Sequence, residues 1–147
     1  MTSGRYPLKL EQLDILRLVR ESAAAWYPLW EKEGIEPDIL LPDEPLLWQI
    51  DKEGFRRILD NLFQNIVRHA GNGQYIGISL EPYKGQTALI IRDRGAGLGS
   101  ATNDKGAGIG LAIVEHLIRE MGLNWHKESS PGGTHIYIYP QSPASDF

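Results

Sequence analysis

The sequence contains no cysteine. That excludes a disulfide framework, a thiolate nucleophile and a cysteine-held zinc ion. It also lacks any apolar run approaching the roughly 20 residues that a membrane-spanning helix needs. A basic excess is missing as well. The formal net charge is −4 and only Arg56 and Arg57 stand side by side, which argues against nucleic acid as a partner. Residues 1–10 are polar and interrupted by Gly4 and Pro7, so no secretory signal is legible there. The rest is ordinary for a globular domain. A chain of 147 residues, 41% hydrophobic and 23% charged, fits one domain with a core of its own, with the cytoplasm as its expected setting. Glycine is the exception. Seven of the 16 glycines lie between Gly95 and Gly122, so a special backbone is concentrated in one place.

The pattern divides the chain into a linker arm at 1–9, one domain at 10–140 and a loose tail at 141–147. Leu10, Leu13, Ile15, Leu16 and Val19, then Trp26, Leu29 and Trp30, recur at helical spacing and predict a helix over 10–33 that stops at Gly34. Pro28 predicts a kink or break near Trp26. Residues 35–41 and 46–50 read as two short strands around the turn at 42–45. Asp51 is a suitable N-cap for a helix over 52–70. In that helix Phe55, Ile58, Leu59, Leu62, Phe63, Ile66 and Val67 fill one arc, while Asn61, Asn65 and Arg68 cluster opposite, with His69 at the border. Residues 71–73 are expected to end it. Strands follow over 75–81 and 87–93, then a loop over 94–106, a helix from about Gly108 to Met121, and a closing pair of strands over 124–128 and 135–139.

Four motifs carry chemistry. Asp93-Arg94-Gly95-Ala96-Gly97 follows an apolar strand. A carboxylate there can accept from an exocyclic amine, and the glycines let a flat base approach; the same residues also make a common turn. Gly106-Ala107-Gly108-Ile109-Gly110-Leu111 opens an apolar helix, where N–H donors and the helix dipole suit phosphate. No Gly-Lys-Ser/Thr follows, and no βαβ unit with an acidic residue about 20 positions on is evident, so neither a P-loop nor a dinucleotide fingerprint fits. Asn61, Asn65 and Arg68 can direct amide oxygens towards a magnesium ion and a cation towards phosphate, although a solvated helix face reads the same way alone. Gly132-Gly133-Thr134 is by itself a hairpin turn.

In this order, the four motifs resemble the nucleotide-binding fold shared by histidine kinases, type II topoisomerase ATPases, MutL-type ATPases and Hsp90. The resemblance covers roughly residues 8–140. One residue separates the branches. Where ATPases and serine kinases carry a general-base Glu four positions before the magnesium-binding Asn, this chain has Asn61, which cannot take a proton. Asn61-Leu62-Phe63-Gln64-Asn65 and Arg68-His69-Ala70 are similar to histidine kinases, whose imidazole nucleophile already offers a lone pair. The resemblance implies an α/β sandwich: a mixed, mainly antiparallel sheet with three main helices on one face. It implies ATP and Mg2+ as cofactors, with Asn65 on the metal. Asn61 would line the phosphate side, Arg68 and His69 would lie near the phosphates, and Asp93 would hold the adenine amine. Gly95, Gly97, Gly106, Gly108 and Gly110, with Ile109 and Leu111, would shape the pocket, Lys105 would reach phosphate, and Thr134 would support Asp93.

Two departures stand out. The segment between the glycine boxes, Leu98 to Lys105, is short and has no phenylalanine, so the family's Phe-containing box is absent and a tight lid is expected. None of the four histidines, His69, His116, His126 and His135, sits as a phosphoacceptor. The resemblance therefore implies a histidine protein kinase domain that donates phosphoryl to a dimerisation domain elsewhere in a parent protein, for which an inner-membrane sensor is one expected form, with a response regulator downstream and no direct membrane contact. The isolated domain is expected to be monomeric. The alternatives are a degenerate binding module without phosphotransfer and an anti-sigma-type serine kinase.

Overall fold

Asp14 decides where the first helix begins. In the computed structural model, which describes residues 8–69, 75–94, 105–130 and 133–141, its backbone is extended and its side chain accepts from the Leu16 N–H at 3.1 Å. The same oxygen accepts from the Leu46 N–H at 3.0 Å. Helix α1 is therefore Ile15–Glu33, and the residues before it form strand β1, Glu11–Asp14. The expected helix over 10–33 is corrected by one turn at its start. Leu10 and Leu13 share the helical spacing, yet Leu13 pairs with Trp48 across an antiparallel ribbon with β3, Leu47–Ile50.

The expected kink at Pro28 does not break α1. Pro28 lies inside the continuous helix, and both it and Ala24, whose carbonyl loses its donor, are exposed, so water can satisfy that carbonyl. The helix ends at Gly34 with φ 75°, while Ile35 N–H returns to the Trp30 carbonyl at 2.8 Å, a left-handed glycine cap.

The two strands read around 42–45 do not form a hairpin. β2, Glu36–Leu40, joins the main sheet parallel to β4, Tyr75–Tyr83, whereas β3 joins β1. The main sheet runs β2-β4-β5-β7-β6, with β5 Gln86–Asp93, β6 Leu123–Ser130 and β7 Gly133–Pro140. Every pairing except β2–β4 is antiparallel. Lys84 and Gly85, both at positive φ, turn β4 into β5, as a two-residue hairpin requires. Helix α2 is Lys52–His69 and α3 is Lys105–Glu120, which begins earlier than the glycine pattern implied. The stop expected at 71–73 lies outside the described residues.

Alternation then builds the layers. Ile76 and Ile78, Leu89 and Ile91, Ile136 and Ile138 point from the sheet into one core. Phe55, Ile58, Leu59, Leu62, Phe63 and Ile66 of α2 meet them, with Val114, Leu117 and Ile118 of α3 and Leu16, Val19 and Trp30 of α1. This is the expected α/β sandwich, three helices on one face of a mixed, mainly antiparallel sheet. At about 25 cal/mol per Å2, such burial is the main favourable term in folding. Trp30 meets Phe63 edge to face, with ring centroids 5.2 Å apart, which seats α1 on the middle of α2.

Candidate functional site

Asp93 is the last residue of β5 and is 2% exposed. A buried carboxylate needs hydrogen bonds to be tolerated. One of them comes from the Thr134 backbone N–H, which donates to Asp93 Oδ1 at 3.1 Å from the start of β7. Thr134 is itself 1% exposed, and its hydroxyl lies 3.5 Å from that of Ser129. The expected support of Asp93 by Thr134 is thus direct, through the backbone. Gly133 explains why this approach is possible. Its φ is +139°, and a Cβ there would run into the Asp93 carbonyl oxygen and the Arg94 Cα. The sequence reads Gly133 as a hairpin glycine only. Its function is to let β7 close against Asp93, and no local signal distinguishes the two.

Helix α2 supplies the amides. Its N-terminus is set by Asp51, whose Oδ2 accepts from the Gly54 N–H at 2.7 Å, so the cap is as expected. Further along, Asn61 Nδ2 donates to the Arg57 carbonyl at 2.8 Å and Asn65 Nδ2 donates to the Asn61 carbonyl at 2.9 Å. Each amide nitrogen is thereby held on the carbonyl one turn back along the helix, which leaves the oxygen as the side chain's acceptor. An amide oxygen is the kind of neutral ligand that a hard cation takes. Asn65 is 4% exposed, Asn61 half-buried and Arg68 exposed. The face is therefore not uniformly solvated: it grades from a buried amide to an open guanidinium. His69 ends the helix, and its side chain lies outside the described residues.

The topology brings these groups to one end of the sandwich. Ile76 is the register partner of Asp93, and it lies seven residues beyond His69, so the C-terminal end of α2 and the end of β5 are joined by a short span of chain. Helix α3 packs beside α2. Its first turns carry Lys105, Gly106, Gly108, Ile109 and Gly110, whose side chains lie outside the described residues, as do Gly95, Gly97 and the expected lid before Lys105. Leu111 is half-buried against the core.

The sequence gives no sign of one further contact. The Arg94 guanidinium stacks 3.9 Å from the centre of the Tyr75 ring, and Tyr75 Oη donates to Asp38 at 3.0 Å. Burial, followed by the bond to Asp38, holds the Tyr75 phenol above its ordinary value of 10.0. The stack fixes the residue directly after Asp93, although 19 positions separate the two partners in sequence. Among the described residues no group of three or more His, Cys, Asp or Glu side chains could hold a metal on its own, and no helix is long and apolar enough to cross a membrane.

A buried carboxylate at a strand end, two amides on helix α2 and a glycine-rich helix start are the parts from which a nucleotide-binding domain can be built. The family model for histidine kinase-, DNA gyrase B- and HSP90-like ATPases matches residues 50–144. The sensor histidine kinase YcbM of Bacillus subtilis is 27% identical over 123 residues, covering 72% of this chain and 40% of that protein. The alginate biosynthesis sensor protein KinB of Pseudomonas aeruginosa is 24% identical over 150 residues, covering 92% and 25%. The catalytic domain of histidine kinase ThkA superposes with a TM-score of 0.73 at 20% identity, covering 90% of this chain and 94% of that one, a likeness of fold. This chain belongs to the histidine kinase-, DNA gyrase B- and HSP90-like ATPase family, and the curated relatives it is similar to include sensor histidine kinases. It spans less than half the length of these curated relatives.

Proposed function

We propose that residues 10–140 form the domain that binds Mg-ATP and presents its γ-phosphoryl group to a histidine on a separate dimerisation domain of a cytoplasmic or membrane-anchored parent kinase. A response regulator would be the indirect recipient. The observation that carries this reading is Asp93, buried at a strand end and held by the Thr134 N–H at 3.1 Å. Fixed in that way, its carboxylate can accept the adenine amine without first reorganising, and the site rejects bases that lack the donor. Gly95 and Gly97 would let the base lie against the chain.

Asn65 and Asn61 fit a magnesium ion, because each amide nitrogen is taken up by a backbone carbonyl and its oxygen is the atom left to act as a ligand. Bound there with its waters, the ion would neutralise charge on the phosphates. Arg68, His69 and Lys105 would meet the remaining phosphate charge, with the N–H groups of α3's first turn around Gly106, Gly108 and Gly110. Phosphoryl transfer asks the protein mainly for positioning and charge neutralisation, and a neutral imidazole needs no base from position 61.

The test is to mix the chain with a histidine-kinase phosphoacceptor domain and γ-labelled ATP. Acid-labile, base-stable label on the acceptor is expected, and it should disappear with Asn65→Ala. Saturable nucleotide binding with no transfer to any acceptor tried would make the chain a binding module, and acid-stable label would make it a serine kinase.

A further inference from the structure

The Asp51 carboxylate does two things at once. Its Oδ2 caps α2 through the Gly54 N–H at 2.7 Å, and its Oδ1 accepts from the Lys9 backbone N–H at 2.8 Å. Asp51 is 6% exposed. Both bonds are charge-assisted, which strengthens them; the one to Gly54 is buried and the one to Lys9 is half-buried. Lys9 lies just before β1, 42 positions from Asp51. The segment that leads into the domain is therefore fastened to the first turn of the helix that carries Asn61 and Asn65.

Helix geometry sets what that fastening can do. Asn65 stands 14 residues beyond Asp51, about 21 Å along the axis at about 1.5 Å per residue. A hydrogen-bonded helix is stiff along its axis, so the placement of its capped end and the placement of Asn65 are linked. Two other ties hold α2 farther along, and both are exposed. Trp26 Nε1 donates to Asp60 at 2.8 Å, and Arg56 pairs with Glu21 at 3.0 Å. Neither reaches the segment before β1, which Asp51 alone of these three residues does.

We infer that Asp51 is a positioning residue: it couples the segment at Lys9 to the placement of Asn65, so that affinity for magnesium-bound nucleotide depends on the chain before β1. This rests on the proposed role of Asn65. The effect belongs to the metal-dependent part of binding, because Asp93 and Thr134 hang on the sheet and not on α2.

The test uses the full chain and an ATP analogue, titrated with and without magnesium. Lys9→Pro removes one N–H, and Lys9→Ala keeps it. Loss of one such charge-assisted bond is worth about tenfold or more in an equilibrium, and only part of that is expected to reach Asn65. Lys9→Pro should therefore weaken magnesium-dependent binding three- to tenfold, with magnesium-free binding altered less than twofold, while Lys9→Ala binds as the parent does. In an Asp51→Asn background, Lys9→Pro should add less than it does alone. Amide exchange in α2 supplies a reading that needs no nucleotide: the Gly54 and Phe55 amides should exchange faster in Lys9→Pro than in Lys9→Ala. Equal magnesium-dependent affinities in the two variants, or equal loss with and without magnesium, would overturn the inference. If the parent chain binds no nucleotide, the proposed function falls and takes the affinity coupling with it. Unchanged exchange in α2 would overturn the tie by itself.

Discussion

Gly133 and Asp93 show how much of the site depends on single residues. At φ +139° with the Asp93 carbonyl where a Cβ would sit, position 133 tolerates no side chain without moving β7 away from Asp93. Gly133→Ala should cost about 3 kcal/mol, the range of backbone strain combined with overpacking, read as a lower urea midpoint at unchanged slope. It should also weaken nucleotide binding, because the Thr134 N–H moves with it. Of these residues, Asp93 and Asn65 were legible as chemistry because their types are unusual for their places: an acid closing an apolar strand and an amide inside a helix. Gly133 was legible only as a turn glycine, and Arg94 carried no reading of its own. Their partners, the Asp93 backbone and Tyr75, come from other strands, and no local pattern encodes that.

Elements were read where one period dominated. Helix α2 has a wide apolar arc and an N-cap, and its start and face are as expected. Strand β4 alternates clearly in sequence, and β5 is a nearly continuous apolar run, buried from Ala88 to Ile91. The errors fall where two patterns overlap. Leu10 and Leu13 fit a helix and a strand equally, and the decision belongs to Asp14, which caps α1 and binds Leu46 at 3.0 Å. Likewise β2 and β3 look like a hairpin because only six residues separate them, but β2 finds the parallel edge of β4 instead. The α1–α2 contact also admits a measurement. Trp30, Trp26 and Phe63 form an edge-to-face cluster, with ring separations of 5.2 and 6.3 Å to Phe63. Phe63→Ala should cost about 3–5 kcal/mol, whereas Trp26→Phe, which loses only the bond to Asp60 and some area, should cost about 1 kcal/mol. Thermal unfolding of the two variants would contradict this ranking if they were equally stable.

For the molecule as a whole, the open face of the sheet predicts a response to alkali. Tyr75 and Tyr137 both titrate above their ordinary 10.0, Tyr75 through burial and Asp38, Tyr137 through burial and the nearby Glu128. A raised phenol favours the folded state while it keeps its proton. The contribution is therefore fully present below pH 10 and is lost as pH rises through the higher folded values. Stability should fall above pH 10, and it should fall less steeply in Tyr75→Phe; equal slopes in urea unfolding from pH 9 to 11 would contradict this. The charge of −4 and the absence of cysteine narrowed the class of protein, while its family comes from the ordered motifs and the family match over residues 50–144. The proposed nucleotide site turns on Asp93. Calorimetric titration of the chain and of Asp93→Asn with ADP and magnesium tests it most directly. One nucleotide per parent chain is expected, with at least a tenfold loss of affinity in a folded Asp93→Asn. No binding by the parent chain, or equal binding by both, would contradict it.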